Sequence, residues 1–161
     1  MGPDITISQI APAQTIHLRH TVLWPNLDIS YVQLPEDEQG FHFGAFVDTE
    51  GSPNGQPVAV ISLFLEPLPV SHPNLEESNP NSPLAGRFRK FACSPSYQNR
   101  GIGTRLLQYT SDYAISKLNA RVVWCDARLD GAGWYERRGM KRFGENFRKQ
   151  SIEYVRMKVE Y

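Results

Sequence analysis

Residues 88–118 read FRKFACSPSYQNRGIGTRLLQYTSDYAISKL. The stretch begins as a strand, breaks at Ser94-Pro95, crosses a polar turn and continues as a long helix. The turn, Gln98–Gly103, contains two glycines, which let a ligand approach the backbone closely. The helix behind it leaves its first amide N–H groups without partners at the positive end of the helix dipole. The stretch therefore predicts a strand–turn–helix unit that holds a phosphate or pyrophosphate.

The composition limits the classes of protein to which this chain can belong. A chain of 161 residues, 40% hydrophobic and 21% charged, is predicted to form a single soluble domain over residues 1–161. Its 17 basic and 17 acidic residues cancel, so charge indicates neither a specific nucleic acid nor a membrane as partner. Cys93 and Cys125 lie in apolar runs and are expected to be reduced, buried and inert thiols. With no signal peptide pattern at the N-terminus, the expected location is the cytoplasm, and the nucleus is not excluded.

Hydrophobic periodicity predicts the order β-α-β-β-β-α-β-α-β-β and an α/β fold (α+β by some schemes) with a mixed sheet. Two strands separated by a long helix predict a right-handed βαβ crossover. Residues 67–86 are rich in proline and poor in apolar side chains, which predicts a mobile insertion beside the active site. The remaining predicted elements are a strand over 4–10, a helix over 12–23, an antiparallel hairpin of 41–47 with 58–65, a strand over 121–127, a short helix over 131–138 ended by Gly139, and closing strands over 140–147 and 151–161.

Two nucleotide-binding motifs fail at specific positions. A dinucleotide fingerprint needs a third glycine where this chain has Leu106. A mononucleotide P-loop needs lysine after the glycines, and Thr104-Arg105 stands there instead. Both motifs are therefore excluded, because the residues that their mechanisms require are absent.

The turn does fit the pattern Gln/Arg-x-x-Gly-x-Gly/Ala, and residues 132–140, AGWYERRGM, are similar to a tyrosine-bearing helix followed by glycine. Together these motifs resemble the GNAT superfamily of acyl-CoA-dependent N-acyltransferases, most strongly from Arg89 to Met140. The resemblance implies a mostly antiparallel sheet with a central, splayed parallel strand pair, flanked by helices. It also implies direct transfer of an acetyl group from acetyl-CoA to a primary amine of a small molecule or peptide. The alternative is a non-catalytic module that binds acyl-CoA or a protein partner.

The resemblance also assigns cofactor contacts. The backbone of the central strand would pair with the pantetheine of CoA, and amides of the turn would bind its pyrophosphate. Many family members carry asparagine seven residues before the tyrosine, where this chain has Arg128; that residue could reach a CoA phosphate or the substrate. The implied cofactor residues are Phe91, Ala92, Cys93, Gln98, Asn99, Arg100, Gly101, Ile102, Gly103 and Thr104.

The chemistry of acetyl transfer requires an acid and a base. A primary amine is mostly protonated at neutral pH and must lose a proton before attack, while the departing CoA thiolate needs one. Tyr135 matches the family's proton-donating tyrosine, and its phenol carries a proton at pH 7. Glu66 and Asp126 are candidate bases, acting directly or through water. Asp126 could equally cap the following turn, and Glu66 could be a plain solvated residue.

The four histidines, at positions 17, 20, 42 and 72, are too scattered for a metal site, so CoA is the only cofactor expected. The basic cluster at residues 137–142 is either a solvated face or a contact for the 3′-phosphate of CoA. A monomer or a homodimer is expected. The segments expected to select the acceptor are Ile16–Leu34, the insertion at 67–86 and the turn near Arg148.

Overall fold

The computed structural model describes residues 4–47, 55–69 and 84–161. Its strands are β1 (Ile5–Ile10), β2 (Phe41–Val47), β3 (Ala59–Leu65), β4 (Ala85–Cys93), β5 (Val122–Arg128), β6 (Lys141–Lys149) and β7 (Ile152–Glu160). Its α-helices are α1 (Ile16–Leu18), α2 (Ile102–Leu118) and α3 (Ala132–Glu136).

The strands form a seven-stranded sheet in the order β1-β2-β3-β4-β5-β7-β6. β4 and β5 pair in parallel through Ala85–Arg87 and Val122–Trp124, as a strand–helix–strand connection requires. The pairs β1–β2, β2–β3, β5–β7 and β6–β7 are antiparallel. The predicted α/β fold, a mostly antiparallel sheet with one parallel pair, is confirmed. The splay of that pair and the single-domain assignment stay predictions.

The described residues divide into two compact units, and the first takes in residues 1–64 and 88–113. In this unit the first half of α2 packs on β2 through aromatic rings. The centroid of Phe43 lies 5.4 Å from that of Tyr109 and 4.9 Å from that of Tyr113. A second apolar cluster joins Ile10, Leu18, Val60 and Ala92. The first half of α2 therefore turns an apolar face, with Ile102 and Leu106 buried, toward the core.

The helix predicted over residues 12–23 is broken into three short pieces. A 3₁₀ turn (Pro12–Thr15) and α1 lead into a π-helical turn at Arg19–Leu23. The guanidinium of Arg19, wholly buried, bonds Asp37 and Ser62, so a charged residue anchors this segment. Residues 29–32 form a 3₁₀ turn capped by the Asp28 carboxylate.

The second unit takes in residues 65–87 and 114–161. Successive residues of a strand point to opposite faces of a sheet. One face of β5 and β7 carries the small apolar side chains Val123, Cys125, Ala127, Val155 and Met157, all buried. The other face carries Trp124, Asp126, Arg128, Tyr154, Arg156 and Lys158, paired across the same two strands. This second face is polar apart from its aromatic rings.

The end of the predicted insertion needs correction. Ala85 and Gly86 are strand residues, because they pair with Val122 and Val123 on β5, and Ala85 packs with Trp124 in a small apolar cluster. Residues 67–69 and 84 are described without regular structure. The rest of the insertion, 70–83, lies outside the described residues.

Candidate active site

The predicted pyrophosphate loop, Gln98–Thr104, is exposed at Gln98–Gly101 and continues into the first turn of α2, where Ile102 is buried. β4 ends at Cys93, a 3₁₀ turn follows at Pro95–Tyr97, and α2 begins at Ile102. Gly101 has φ 80°, a conformation that favours glycine, and a Cβ placed there would meet nothing within 4 Å. The Arg105 amide donates to the Gly101 carbonyl at 3.1 Å, beginning the helical pattern. This geometry leaves the backbone of the turn open to an anion at the positive end of a 17-residue helix.

Two side chains fasten this loop within the first unit. Gln98 Nε2 donates to the Cys93 carbonyl at 2.9 Å. The Arg100 guanidinium lies 5.5 Å from the ring centroid of Tyr97. The loop is thus tied to the end of the strand whose backbone was predicted to pair with pantetheine.

Lys90 introduces an irregularity in β4 that the sequence did not predict. Its φ of 55° lies in the left-handed region, which is unusual for a non-glycine residue inside a strand. Its ammonium lies 5.7 Å from the ring centroid of Trp24. After this residue, Ala92 is buried with Ile10 and Val60, while Phe91 and Cys93 are half-buried.

The two cysteines are free, as predicted. Cys125 is buried, but Cys93 is half-buried, because it ends β4 beside the exposed loop. Burial raises the pKa of both thiols, and the neighbouring Asp126 raises that of Cys125 further. Thiols held in the protonated form are poor nucleophiles, so the geometry favours no cysteine chemistry.

Tyr135 lies in α3, in the second unit. Burial raises the pKa of its phenol, and Cys125 raises it further. The Tyr135 ring meets Trp134 edge to face at 5.1 Å. Gly139, with φ 92°, ends this turn, and the Met140 amide donates to the Tyr135 carbonyl at 3.2 Å. The phenol is therefore held protonated at neutral pH, the form that a proton donor needs.

The two candidate bases meet at one arginine that the sequence analysis did not single out. Arg87 Nη1 lies 3.1 Å from both carboxylate oxygens of Glu66, and Nη2 lies 2.8 Å from Asp126 Oδ2. The Arg87 guanidinium stacks 4.8 Å from the centroid of Trp124, whose Nε1 donates to the Glu66 carbonyl. Glu66 is therefore not a plain solvated residue, because it is paired with Arg87. Asp126 does more than cap the following turn, because it binds the same arginine.

The side chain of Asp126 is only 9% exposed and has two further cationic neighbours. Lys149 Nζ lies 3.5 Å from Oδ2, and Arg156 Nε lies 3.4 Å from Oδ1. The rings of Phe147 and Tyr154 stack at 5.6 Å beside them. We call this set, Asp126, Phe147, Lys149, Tyr154 and Arg156, the cationic face.

Tyr135 and the two candidate bases belong to different segments of the second unit. Cys125 lies on the apolar face of β5, and Asp126 lies on the opposite face. Arg128 ends β5 on the side of Asp126, opposite Tyr154. The structure thus brings Asp126 and Glu66 together at Arg87.

A short turn fixes the position of the cationic face. Gln150 and Ser151, with φ values of 50° and 69°, form the two-residue connection between β6 and β7. Positive φ at both positions is typical of a type I′ turn. The resulting register places Phe147 opposite Tyr154 and Lys149 opposite Ile152. No single sequence motif marks this arrangement, because it depends on strand pairing.

Among the described residues, no group of three or more His, Cys, Asp or Glu side chains is arranged to hold a metal ion. Within the same parts of the chain, no helix is long and apolar enough to span a membrane.

Residues 12–140 match the acetyltransferase (GNAT) family, and because that span is most of the chain, the protein belongs to this family. The predicted class, an acyl-CoA-dependent N-acetyltransferase, is confirmed.

The chain is 28% identical over 145 residues to the uncharacterized N-acetyltransferase YitI of Bacillus subtilis (strain 168), covering 89% of this chain and 87% of that one. Its fold is similar to Arabidopsis thaliana NAA60 in complex with acetyl-CoA, with a TM-score of 0.74, 11% identity and 98% of each chain covered. It is also similar to a chain of the NatC complex bound to Gag peptide and CoA, with a TM-score of 0.70, 15% identity, and 98% of this chain and 99% of that one covered. These two likenesses concern the fold.

Proposed function

We propose that the protein transfers the acetyl group of acetyl-CoA directly to a primary amine of a small molecule or peptide. The observation that carries the proposal is the exposed turn Gln98–Gly101, whose backbone at Gly101 opens at the positive end of α2. Membership of the family supports the pyrophosphate of CoA as the ligand of this loop. The complexes of NAA60 with acetyl-CoA and of NatC with CoA and a peptide support the same pair of substrates.

The reaction follows from the groups assigned above. The amine nitrogen, once deprotonated, attacks the thioester carbonyl, and the C–S bond of the tetrahedral intermediate then breaks. The electron pair leaves with the CoA sulfur, which takes a proton from the Tyr135 phenol. The amine gives its first proton to water or to a carboxylate, for which Glu66 is the more exposed candidate, 41% against 9% for Asp126. The second proton, lost from the nitrogen as the amide forms, returns through water to the Tyr135 phenolate. No covalent intermediate with the protein is needed.

A thiol-release assay with acetyl-CoA across alkyl amines, amino acids and peptides tests this function. Tyr135→Phe should lower kcat by about 10²- to 10⁴-fold, the usual contribution of a positioned acid. The affinity of the Tyr135→Phe variant for acetyl-CoA should stay close to that of the wild type. The exposed Tyr161 provides the matched control, because Tyr161→Phe removes a hydroxyl far along the chain from α3.

An unchanged rate in Tyr135→Phe removes this residue from the mechanism. Binding of acetyl-CoA by calorimetry with no turnover on any acceptor would instead indicate a non-catalytic acyl-CoA-binding module.

A further inference from the structure

The ammonium of Lys149 occupies a site that has the features of an amine-binding pocket. It lies 3.5 Å from Asp126 Oδ2, 5.4 Å from the centroid of Phe147 and 5.6 Å from that of Tyr154. The two rings are nearly parallel, with an interplanar angle of 16°. A carboxylate beside two aromatic faces is a favourable environment for an organic cation.

The surrounding strands hold this site without help from Lys149. Asp126 is fixed on β5 by Arg87 at 2.8 Å and lies opposite Arg156 on β7. Phe147 and Tyr154 are cross-strand partners in the β6–β7 hairpin. The Arg156 guanidinium lies 4.5 Å from the Phe147 centroid and supports that ring. Removing the lysine side chain leaves all of these contacts in place.

Lys149 is also the exposed member of the group. Its side chain is 54% exposed, whereas that of Asp126 is 9% exposed. An exposed surface ion pair contributes little to stability, about 0–1 kcal/mol. The lysine can therefore leave at low cost, and its departure opens the route to Asp126 Oδ2.

The charges are consistent with an exchange of one ammonium for another. Two carboxylates, Glu66 and Asp126, face three cations, Arg87, Lys149 and Arg156. An incoming ammonium added to all five groups would raise a positive charge that is already in excess. An ammonium that replaces Lys149 leaves the total unchanged.

We infer that the ammonium of the acceptor binds against Asp126, Phe147 and Tyr154 in place of Lys149 Nζ, and that the acceptor is a primary amine on an unbranched alkyl arm. Lys149 is then an internal competitor of the acceptor, since its own side chain is such an amine. The inference rests on the proposed function and names the acceptor class of that reaction. An internal group that fills the site nine-tenths of the time raises the apparent Kd of the acceptor about tenfold.

The inference predicts that the affinity for the acceptor rises when the positive charge of Lys149 is removed. With 1,5-diaminopentane as probe, Lys149→Met should lower the acceptor KM by about 3- to 10-fold. The KM for acetyl-CoA and kcat should change less than about twofold, since only competition for the acceptor site is removed. Lys149→Arg keeps a cation near Asp126 and should show no such gain.

Lys158 is the matched control. Its ammonium lies 5.4 Å from the Phe143 centroid on the same face of β7, but its ion pair is with Glu160, at 2.8 Å. Lys158→Met should leave the acceptor KM unchanged. Asp126→Asn should raise that KM at least tenfold and cancel the gain in the double variant with Lys149→Met.

The outcomes separate the two proposals. If the wild-type protein acetylates no amine or peptide, the proposed function fails. If it acetylates amines and Lys149→Met leaves the diamine KM unchanged or higher, the inference about Lys149 is wrong and the proposed function stands. A preference for peptide α-amines over the diamine in both wild type and Lys149→Met also overturns the inference, because an α-amine has no unbranched arm. Direct calorimetric titration of the diamine in the presence of CoA gives a readout independent of turnover.

Discussion

The two units of this protein each contain an arginine bound to carboxylate, and the two clusters differ in access to water. In the first unit, Arg19 is wholly buried and bonds both carboxylate oxygens of Asp37 at 2.8 and 2.9 Å. In the second, Arg87 bonds Glu66 and Asp126, and Glu66 is 41% exposed. The first, closed cluster holds backbone in place, while the second, open cluster has a carboxylate exposed to water.

The closed cluster of the first unit forms a chain of matched donors and acceptors. Arg19 Nη2 donates to Ser62 Oγ at 2.8 Å, and the Ser62 hydroxyl lies 2.7 Å from His42 Nδ1. His42 Nε2 lies 2.8 Å from the Asp37 carbonyl, which can only accept. The imidazole therefore donates through Nε2 and accepts at Nδ1, an assignment made from its partners. A serine, histidine and aspartate so close together resemble a hydrolytic triad in composition, but here they support the fold.

The largest expected difference between the clusters is in stability. Arg19→Met leaves the Asp37 carboxylate buried without its ion pair and should lower the free energy of unfolding by about 3–5 kcal/mol. Arg87→Met, the matched change in the open cluster, should cost about 1–2 kcal/mol, because Glu66 becomes hydrated and Asp126 keeps Lys149 and Arg156. Urea unfolding of both variants measures the two values. Equal losses would contradict the distinction between a closed and an open cluster.

The closed cluster also predicts sensitivity to acid. Burial lowers the pKa of His42, and Arg19 lowers it further against the opposing effect of Asp37. As the pH falls below about 6.5, the unfolded chain takes up this proton before the folded one, so stability should fall by up to about 1.4 kcal/mol per pH unit.

Asp37 extends the same trend to lower pH. Burial by itself raises the pKa of Asp37, but hydrogen bonds from Arg19 and Leu34 and the charge of Arg19 lower it overall. Its contribution is present above about pH 3.9 and is lost as the pH falls through its lower folded pKa. Urea titrations from pH 7.5 to 4.5 should show the decline due to His42, and the same titrations continued below about pH 3.9 should show the loss due to Asp37. His42→Gln should flatten the slope between pH 6.5 and 5.5, and His17→Gln, at an exposed histidine, should keep it.

A smaller effect is expected at Lys90, where β4 carries a left-handed residue. Lys90→Val places a β-branched side chain at φ 55° and should lower the free energy of unfolding by about 1 kcal/mol. Lys90→Gly relieves the strain and should match or exceed the wild type. Thermal unfolding of the pair measures the difference. If valine were tolerated as well as glycine, the left-handed conformation would be absent in solution.

The smallest expected effect concerns the loop. Gln98→Ala removes the bond to the Cys93 carbonyl, worth about 0.5–1.5 kcal/mol, and should weaken acetyl-CoA binding by about 2- to 10-fold. Gln108→Ala, which removes a bond to Asp112 on the exposed side of α2, is the control and should bind normally. Calorimetry with acetyl-CoA decides between them. A normal affinity of Gln98→Ala for acetyl-CoA would show that the hydrogen bond from Gln98 to Cys93 does not position the loop.

Local signals predicted most of the elements. The bounds of β2 and the end of α2 at Leu118 agree with the prediction, because alternation, helical periodicity and flanking turn residues all act within a few positions. The order of elements agrees for the same reason, whereas the helix predicted over 131–138 is shorter, because α3 ends at Glu136 and a turn leads to Gly139. The irregular segment around Arg19 could not be predicted, because its conformation depends on partners 18 and 43 positions away, Asp37 and Ser62.

The sequence predicted only part of the candidate site, because only some of its residues lie in contiguous motifs. The Gln98–Thr104 loop and Tyr135 lie in contiguous motifs, so the family resemblance identified them. Arg87 and Lys149 lie in no motif, and their relation to Asp126 depends on parallel pairing of β4 with β5 and on the register of β6 with β7. Glu66 and Asp126 were named as separate candidates for one role, and the structure shows them sharing one arginine.

The turn at Gln150–Ser151 has a consequence for protein engineering. Both residues occupy left-handed backbone conformations, yet neither is the asparagine or glycine that such a turn favours. Replacing them with Asn-Gly would suit the existing backbone and keep Phe147 and Tyr154 in register. Stability gained there would compensate for destabilising changes elsewhere on the hairpin. The turn is thus a convenient starting point for laboratory evolution of acceptor choice, because it is separate from the side chains to be varied.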